Sequence, residues 1–201
     1  MPRKRKEREA EQLESEPPEA KPASAKAKRK AKEVEERDDS APALYLLKSE
    51  PDEFSIDDLA ARPQQTEPWD GVRNFQARNI MQRMKLGDQC LFYHSNTKEP
   101  GVVGICEVVK EAYPDETALD PESPKHDPKA TADKPRWFMV DVKLVRKLKR
   151  IVPLKELKQH SNGSLEGMVL LSKGRLSVQP VTQPQWDFIM ELAEHEPADE
   201  S

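Results

Sequence analysis

The first regular pattern of apolar and polar positions lies at residues 44–48. This apolar run stops at Pro51, and because proline has no backbone donor, the run predicts a short strand. Ser55 precedes Asp58 by three residues, as an N-cap residue does, and the apolar positions that follow predict a helical turn ending before Pro63. The ordered part of the chain is therefore expected to begin with a strand and a short helix.

A clearer helical pattern begins after Asn74. Asn74 is a suitable N-cap residue, and Gly87 stands where the last turn would end. Between these two residues, apolar side chains recur with the 3.6-residue period of one helix face, at Ala77, Ile80, Met81 and Met84. The spacing predicts an amphipathic helix in this segment.

Strand-like patterns dominate the middle of the chain. Residues 88–94 and 101–109 are apolar on almost both faces, which predicts two central strands. Residues 137–144 alternate with a period of two, which predicts a half-buried strand. Residues 113–136 contain five prolines and few apolar residues, so we expect a long excursion that is functional or mobile.

The remaining elements are short. A helix is predicted over residues 153–157, an apolar strand or turn over 168–171, and a strand over 176–178. Thr182 and Gln185 have the spacing of a capping box, which predicts a final helix. Five or six short strands with interspersed helices, without regular βαβ alternation, predict an α+β fold: a small mixed sheet or barrel flanked by helices.

Residues 1–43 have the composition of a disordered segment. They contain no aromatic residue, and their 12 basic and 11 acidic side chains nearly cancel. Such a segment buries too little apolar surface to offset the entropy lost on ordering. We therefore predict a disordered tail over 1–43, one folded domain over 44–195 and a disordered C-terminus over 196–201.

Two basic clusters lie in the predicted tail. Clusters of this kind are typical of nuclear-import signals, so they predict a nuclear protein. The alternative is a solvated polyampholyte that no receptor recognises. The clusters are Arg3, Lys4, Arg5 and Lys6, and then Lys28, Arg29 and Lys30.

Composition and charge exclude several classes of protein. No run approaches the roughly 20 apolar residues that span a bilayer, and the charged N-terminus is unlike a signal peptide, so we expect no membrane association. Cys90 and Cys106 each lie in an apolar run and are expected to be reduced core thiols. Residues 44–195 carry 21 basic and 23 acidic side chains, so nucleic-acid binding would depend on local patches and a specific pocket.

The sequence also lacks the common signatures of catalysis. Neither GxGxxG nor GxxxxGK[ST] occurs, and the four histidines are not spaced as metal ligands. His94 next to Ser95 suggests a hydrolase, but adjacency in sequence does not provide the geometry of a nucleophile and its base, and no GxSxG segment is present. We expect no cofactor, no metal and no enzymatic activity.

The segment WDGVRNF at residues 69–75 combines features that suit a nucleobase. Gly71 permits an unusual backbone conformation, and Arg73 supplies a planar charged fork. The helix start that follows offers N–H donors suited to a phosphate or an exocyclic oxygen. This segment is therefore a candidate ligand site.

The aromatic residues in and near this segment have two interpretations. Trp69 and Phe75 would either stack on a base or anchor the core, and in the second case Asn74 is only a helix cap. Trp137 would belong either to the core or to an aromatic cage. Spacing alone leaves both interpretations open.

Four segments in order resemble the signatures of the EVE domain. They are LKSEP at 47–51, WDGVRNFQARN at 69–79, FYHSN at 92–96 and RLSVQP at 175–180. The similarity extends from residue 44 to about 193. It implies a PUA-like fold, akin to YTH and SRA-type domains, with a pocket for a modified base flipped out of nucleic acid.

The resemblance also implies a function. The expected protein is a monomeric, non-enzymatic reader of 5-hydroxymethylcytosine and 5-methylcytosine in DNA, whose pocket recovers the cost of unstacking a base. One alternative is a reader of modified RNA. Another is a nuclease or hydrolase resembling ASCH domains that uses His94, Ser95 or Lys48.

Site residues follow from the same resemblance. Three residues are expected to contact phosphates: Arg78, Lys173 and Arg175. The residues expected in the base pocket are Lys48, Ser49, Glu50, Trp69, Arg73, Asn74, Phe75, Tyr93, His94, Ser95 and Trp137.

Overall fold

A computed structural model describes residues 41–195. The strands are β1 (Leu44–Ser49), β2 (Thr66–Pro68), β3 (Gln89–His94), β4 (Gly101–Pro114), β5 (Phe138–Pro153) and β6 (Val178–Val181). The helices are α1 (Ile56–Ala61), α2 (Phe75–Met81), α3 (Leu154–Gln159), α4 (Val169–Ser172) and α5 (Gln183–Glu194). Two 3₁₀ turns, Pro63–Gln65 and Glu116–Ala118, complete the elements.

The six strands form one mixed sheet in the order β2-β5-β4-β3-β1-β6. Only the β1–β3 pair is parallel; all other neighbours in this sheet are antiparallel. The α+β prediction is confirmed, and the predicted central strands are β3 and β4. The sheet is not closed into a barrel, and its edge strands are short and contain Pro68 and Pro180, which cannot donate to a further strand.

Both faces of the sheet are covered by apolar layers. Along β3, Phe92 contributes to the layer that contains α2, and Leu91 to the layer that contains α5. This two-sided burial explains why β3 and β4 are apolar at almost every position. Cys90 and Cys106 face each other across β3 and β4 as buried, unlinked thiols, as predicted.

Three helices begin at the capping residues that the sequence predicted. Ser55 caps α1 through a capping box with Asp58, and Thr182 and Gln185 form the second predicted capping box at α5. Asn74 caps α2, as predicted, by accepting hydrogen bonds from two backbone N–H groups of the first turn.

Three local expectations need correction. The α2 helix ends at Met81 with Gln82 as its C-cap, because the N–H groups of Arg83 and Met84 bond three residues back and form tight turns instead. Residues 168–171 were expected as a strand or turn but contribute to helix α4, whose Lys173 N–H bonds Val169 four residues back. The last strand begins at Val178 rather than at Leu176.

Three predictions concern residues that the structure does not describe. The two basic clusters and the predicted disordered tail lie almost entirely in residues 1–40, and the predicted disordered C-terminus lies in residues 196–201. Among the described helices, none is long and apolar enough to cross a membrane.

Candidate functional site

A cavity of about 680 Å³ opens where the parallel strands β1 and β3 end. Its volume lies within the roughly 300–1,000 Å³ that is typical of small-ligand sites. Acidic, basic, hydroxyl and aromatic groups all contribute to its wall. The lining residues are Lys48, Ser49, Glu50, Glu53, Phe54, Glu67, Pro68, Trp69, Asp70, Gly71, Val72, Arg73, Asn74, Ser95, Lys125, Gly174, Arg175 and Ser177.

The ends of β1 and β3 position a carboxylate at this cavity. The Ser95 N–H donates to the Ser49 carbonyl oxygen at 2.8 Å and so continues the strand pairing by one residue. The Asn96 side-chain amide donates to Glu50 Oε2 at 2.8 Å, and Asn96 itself adopts a left-handed backbone with φ of 50°. Strained backbone of this kind is often found at functional sites. Glu50 is therefore held as an oriented hydrogen-bond acceptor.

Trp69 supplies an aromatic wall while it also belongs to the core. Its side chain is only 7% exposed and packs edge-to-face against Phe54 and Phe92, with ring centroids 6.3 and 5.3 Å away. The backbone N–H of Trp69 donates to the Val140 carbonyl oxygen at 2.7 Å, which ties the segment to β5. The two interpretations of Trp69 therefore apply together, since one ring anchors the core and lines the cavity.

Arg73 secures the long loop, residues 115–137, against the cavity segment. Its guanidinium donates to Asp115 Oδ2 at 2.7 Å, to the Lys125 carbonyl at 2.7 Å and to the Thr117 hydroxyl at 3.0 Å. Burial raises the pKa of Asp115, but the hydrogen bonds from Arg73, Thr117 and Gly71 outweigh burial and leave that pKa below its ordinary value. The fork of Arg73 thus binds protein groups and presents little free hydrogen-bonding capacity to a ligand.

Gly71 allows the loop to approach closely. Its φ is +71°, and a Cβ at this position would lie 2.3 Å from Cδ of Lys125, whose side chain crosses the glycine. The Gly71 N–H donates to the same Asp115 carboxylate at 2.9 Å. Lys125 reaches the cavity in this way, although it lies far from the other lining residues in sequence.

Lys48 connects β1 with the segment before β6. Its ammonium donates to the Gly174 carbonyl oxygen at 2.6 Å and lies 5.5 Å from the centroid of the Tyr93 ring. Burial lowers the pKa of Lys48. This contact joins β1 to the segment that contains Arg175, which also lines the cavity.

Seven of the eleven residues predicted for the base pocket line the cavity, and four do not. Tyr93 is 2% exposed in the layer on the α5 side, where burial raises its pKa to about 12. His94 Nε2 accepts a hydrogen bond from the Ile56 N–H at 3.1 Å. Phe75 and Trp137 stack on each other beside the cavity. Tyr93 and His94 are neighbours in β3 and lie on opposite faces of the sheet: Tyr93 in the layer on the α5 side, and His94 against Phe92 with its imidazole bonded to the start of α1.

Of the three residues predicted to contact phosphates, one lines the cavity and two do not. Arg175 lines the cavity, whereas Arg78 and Lys173 do not. The expected donors at the α2 start are occupied as well, because the N–H groups of Gln76 and Ala77 bond the Asn74 side chain.

Several lining residues were not named individually for the base pocket. Asp70, Gly71 and Val72 lie within the WDGVRNF segment, and Ser177 lies within the RLSVQP segment, so both motifs carried a signal for them. Lys125 reaches the cavity only through the contacts of the long loop, which no local pattern predicts. The remaining residues that the sequence did not assign are Glu53, Phe54, Glu67, Pro68 and Gly174.

His94 and Ser95, the residues of the hydrolase hypothesis, bond to backbone groups and not to each other. The Ser95 hydroxyl donates to the Ser49 carbonyl at 3.2 Å, and His94 is bonded to the Ile56 N–H, so the two neighbours do not form a nucleophile and base pair. Burial lowers the pKa of His94, with partial compensation by the Asp57 carboxylate. Within residues 41–195, no group of three or more His, Cys, Asp or Glu side chains is arranged to hold a metal ion.

Similar proteins share this fold and much of this sequence. Thymocyte nuclear protein 1 from Homo sapiens is 49% identical over 169 residues, which are 77% of this chain and 75% of the relative. The Gallus gallus protein of the same name is 48% identical over 187 residues, covering 84% and 77% of the two chains. These names agree with the nuclear location predicted from the basic clusters, and that prediction is confirmed.

Solved structures lead to the same family. The crystal structure of human THYN1 protein in complex with 5-methylcytosine containing DNA matches with a TM-score of 0.76 and 49% identity, covering 77% of this chain and 99% of that one. A hypothetical protein from Leishmania major matches with a TM-score of 0.73 and 53% identity, covering 77% and 96%. The sequence matches the EVE domain over residues 43–192, and the chain belongs to the EVE domain family.

Proposed function

We propose that this protein is a non-enzymatic reader of modified cytosine in DNA and that it holds the flipped base in the cavity at the ends of β1 and β3. The main support for the proposal is this cavity, which combines an oriented carboxylate, an aromatic wall and cations at its rim. In addition, the chain matches the structure of human THYN1 in complex with 5-methylcytosine containing DNA. A flipped base must be stacked and hydrogen-bonded to recover its unstacking cost.

The polar groups of the cavity complement the edge of cytosine. Cytosine presents an N4 amine as donor, and a carboxylate is its usual protein acceptor. Glu50 is the candidate acceptor because Asn96 already orients it. The hydroxyl of Ser177 and the ammonium of Lys48 also line the cavity and are candidate donors to the acceptor atoms O2 and N3, whereas the Ser49 hydroxyl already donates to the Phe54 carbonyl oxygen at 2.6 Å.

The substituent at C5 would meet a mixed surface. Phe54, Trp69 and Val72 offer apolar surface for a methyl group. A hydroxymethyl group needs a polar partner as well, since a buried hydroxyl left unpaired costs about 1–3 kcal/mol. The serine hydroxyls are the candidate partners, and we propose that both 5-methylcytosine and 5-hydroxymethylcytosine are accepted.

Two cations flank the cavity where the phosphates of an extruded nucleotide would lie. Arg175 is exposed, and Lys125 is partly exposed with its ammonium 3.6 Å from Asp70. Lys173 is exposed two residues before Arg175 and would extend this rim. Binding through such contacts should weaken with salt, with a slope of log affinity against log salt of about −0.9 for each phosphate neutralised on duplex DNA.

The proposal is tested by competition binding at one salt concentration. A single oligonucleotide sequence carrying cytosine, 5-methylcytosine or 5-hydroxymethylcytosine is compared as duplex DNA and as RNA. We expect the two modified DNA oligonucleotides to compete more strongly than the unmodified one. Equal binding of all DNA oligonucleotides would refute the proposal, and a preference confined to RNA would instead identify a reader of modified RNA.

Glu50→Gln tests the role of the carboxylate within this assay. The amide keeps an oxygen for Asn96 but replaces half of the acceptor with a donor that opposes the N4 amine. Because the N4 amine is common to all the cytosines tested, we expect the affinity for the modified oligonucleotides to fall by about 10-fold or more, in line with the roughly 1–3 kcal/mol of a good base contact, without a matching loss of the preference for modified over unmodified cytosine. Glu191→Gln on α5, an exposed carboxylate far from the cavity in the fold, is the control and should bind like the unaltered protein.

A binding role without catalysis is supported by the bonding of the candidate reactive groups. The Ser95 hydroxyl, the His94 imidazole and the Lys48 ammonium each bond a backbone group. After prolonged incubation with the protein, labelled modified oligonucleotides should therefore be recovered at full length and with unchanged base composition. Release of a base or a shortened strand would support the hydrolase alternative.

A further inference from the structure

An exposed aromatic stack lies beside the cavity and is not used by the proposed base pocket. Phe75 is 51% exposed, although it is a large apolar side chain, and it stacks on Trp137 with ring centroids 4.8 Å apart and an interplanar angle of 20°. One face of the Phe75 ring is therefore covered, and much of the rest of the ring is available to solvent. We call Phe75, Trp137, Arg78 and Arg136 the aromatic platform.

The platform is rigidly supported from below. Trp137 is only 5% exposed, and its indole N–H donates to Asp127 Oδ2 at 2.7 Å. Arg136 lies 3.5 Å from the same carboxylate, and Arg78 donates to the Arg136 carbonyl oxygen at 2.9 Å. The long loop and α2 are thus joined at Arg78 and Arg136, and Trp137, on which Phe75 stacks, is fixed by the same contacts.

The charge around the exposed ring is positive. The guanidinium carbon of Arg78 lies 4.9 Å from the Phe75 centroid, and that of Arg136 lies 5.7 Å from it. Asp127, the acidic partner in the platform, is engaged by Trp137 and Arg136 and lies under the stack. An aromatic face bordered by planar cations suits a nucleobase with its flanking phosphates, since every base has a π-face and every nucleotide a negative charge.

The platform is continuous with the cavity. Asn74 lines the cavity and precedes Phe75 directly in the chain. Arg73, which also lines the cavity, has its guanidinium carbon 5.6 Å from the Trp137 centroid. The platform therefore lies within reach of a nucleic acid that places one nucleotide in the cavity.

We propose that the aromatic platform is a second contact for the same nucleic acid, in which Phe75 stacks on a base outside the cavity and Arg78 and Arg136 contact the adjoining phosphates. This inference rests on the proposed function and adds the contact that supplies affinity without regard to modification. The cavity selects the base, whereas the platform binds any strand that crosses it.

The variants Phe75→Ala, Phe75→Leu and Phe75→Tyr separate stacking from packing. Leu keeps apolar cover on Trp137 without a π-face, and Tyr keeps the ring. Base stacking on an aromatic residue corresponds to a loss of about 5- to 100-fold in affinity on substitution by alanine. We expect Ala and Leu to weaken binding of modified and unmodified oligonucleotides by the same factor in this range, and Tyr to bind like the unaltered protein.

Leu86→Ala is the matched control for removing an exposed apolar side chain, because Leu86 is 63% exposed and lies beyond the other end of α2. It should leave binding unchanged. Arg78→Gln should make the slope of log affinity against log salt shallower by about one. Thermal unfolding confirms that each variant is folded before its binding is compared.

Two results would overturn the inference. Unaltered affinity and salt dependence in Phe75→Ala and Arg78→Gln would show that the platform makes no contact. Loss of the preference for modified cytosine in Phe75→Leu would place Phe75 in base selection instead. Failure of the proposed function is distinguishable from both, because the unaltered protein would then show no preference for modified DNA, whatever the effect of the platform variants.

Discussion

His94 illustrates how the charge state of one residue is coupled to folding. Its Nε2 accepts the hydrogen bond from the first N–H of α1, which requires an unprotonated nitrogen. Burial lowers the pKa of His94 from its ordinary value of 6.5, and the Asp57 carboxylate opposes this effect. In the unfolded chain the imidazole takes up a proton at a higher pH than in the folded protein.

We predict that this residue makes the protein sensitive to mild acid. Because the folded pKa is depressed, the stabilisation is fully present above pH 6.5 and is lost as the pH falls through the folded pKa. The free energy of unfolding should therefore fall between pH 7 and about 5 more steeply than in His94→Gln, whose amide oxygen still accepts from Ile56. Urea unfolding across this range provides the measurement. Parallel curves for the two proteins would contradict the prediction.

At the scale of elements, Arg73 and Asp115 hold the long loop, residues 115–137, against the segment that precedes α2. The Asp115 side chain is fully buried, whereas that of Arg73 is 23% exposed. The same carboxylate also accepts from the Gly71 N–H, and a second set of bonds joins it to Thr117. Both the cavity wall and the base of the aromatic platform depend on this connection.

Arg73→Ala is predicted to destabilise the protein by about 3 kcal/mol, because it leaves the buried Asp115 carboxylate without its cation. This value is the lower end of the roughly 3–5 kcal/mol that breaking a buried ion pair costs, since the Arg73 side chain is partly exposed. Arg73→Lys should be intermediate, since the ammonium keeps the charge but not the fork. Urea unfolding measures the loss, and limited proteolysis should show faster cleavage in residues 115–137. Arg175→Ala, which removes an exposed cation of the cavity rim, is the control; an equal loss of stability there would contradict the prediction.

Elements with a strong local signal were predicted well. Strands β3 and β4 were predicted from apolar residues on both faces, and α5 from its capping box and its apolar side. The three-residue strand β2 was not predicted, because it forms by pairing with β5 and has no pattern of its own. The end of α2 was placed too late because Met84 continues the helical period while lying in a turn.

At the scale of the whole molecule, the basic clusters in the first 40 residues are predicted to direct the chain to the nucleus. An alanine variant of both clusters removes most of the charge that an import receptor would contact. The replaced residues are Lys4, Arg5, Lys6, Lys28, Arg29 and Lys30. The altered chain is fused to a fluorescent reporter that is too large to enter the nucleus by diffusion. Its fluorescence should then be found in the cytoplasm. Alanine at Lys155 and Lys158 of α3 provides the control. Unchanged nuclear fluorescence would assign import to another segment.

The sequence by itself determined the class of fold, the central strands, the main helix starts and the ordered motifs of the EVE domain. These properties depend on neighbours in the chain: strand alternation, helical period and side-chain caps act within a few residues. The segment around Trp69 was identified from its own residues, whereas the segment around Glu50 was identified through the resemblance to the EVE domain.

Only the tertiary structure decided which side chains meet there. It brought Lys125 over Gly71 and Ser177 beside β1, and it placed Phe75 and Trp137 in a stack outside the cavity rather than within it. It also assigned the fork of Arg73 to a buried carboxylate of the long loop. These contacts join residues that are distant in the chain. Which side chains are buried and which hydrogen-bond partners they find depends on how the whole fold packs, so local sequence patterns do not predict them.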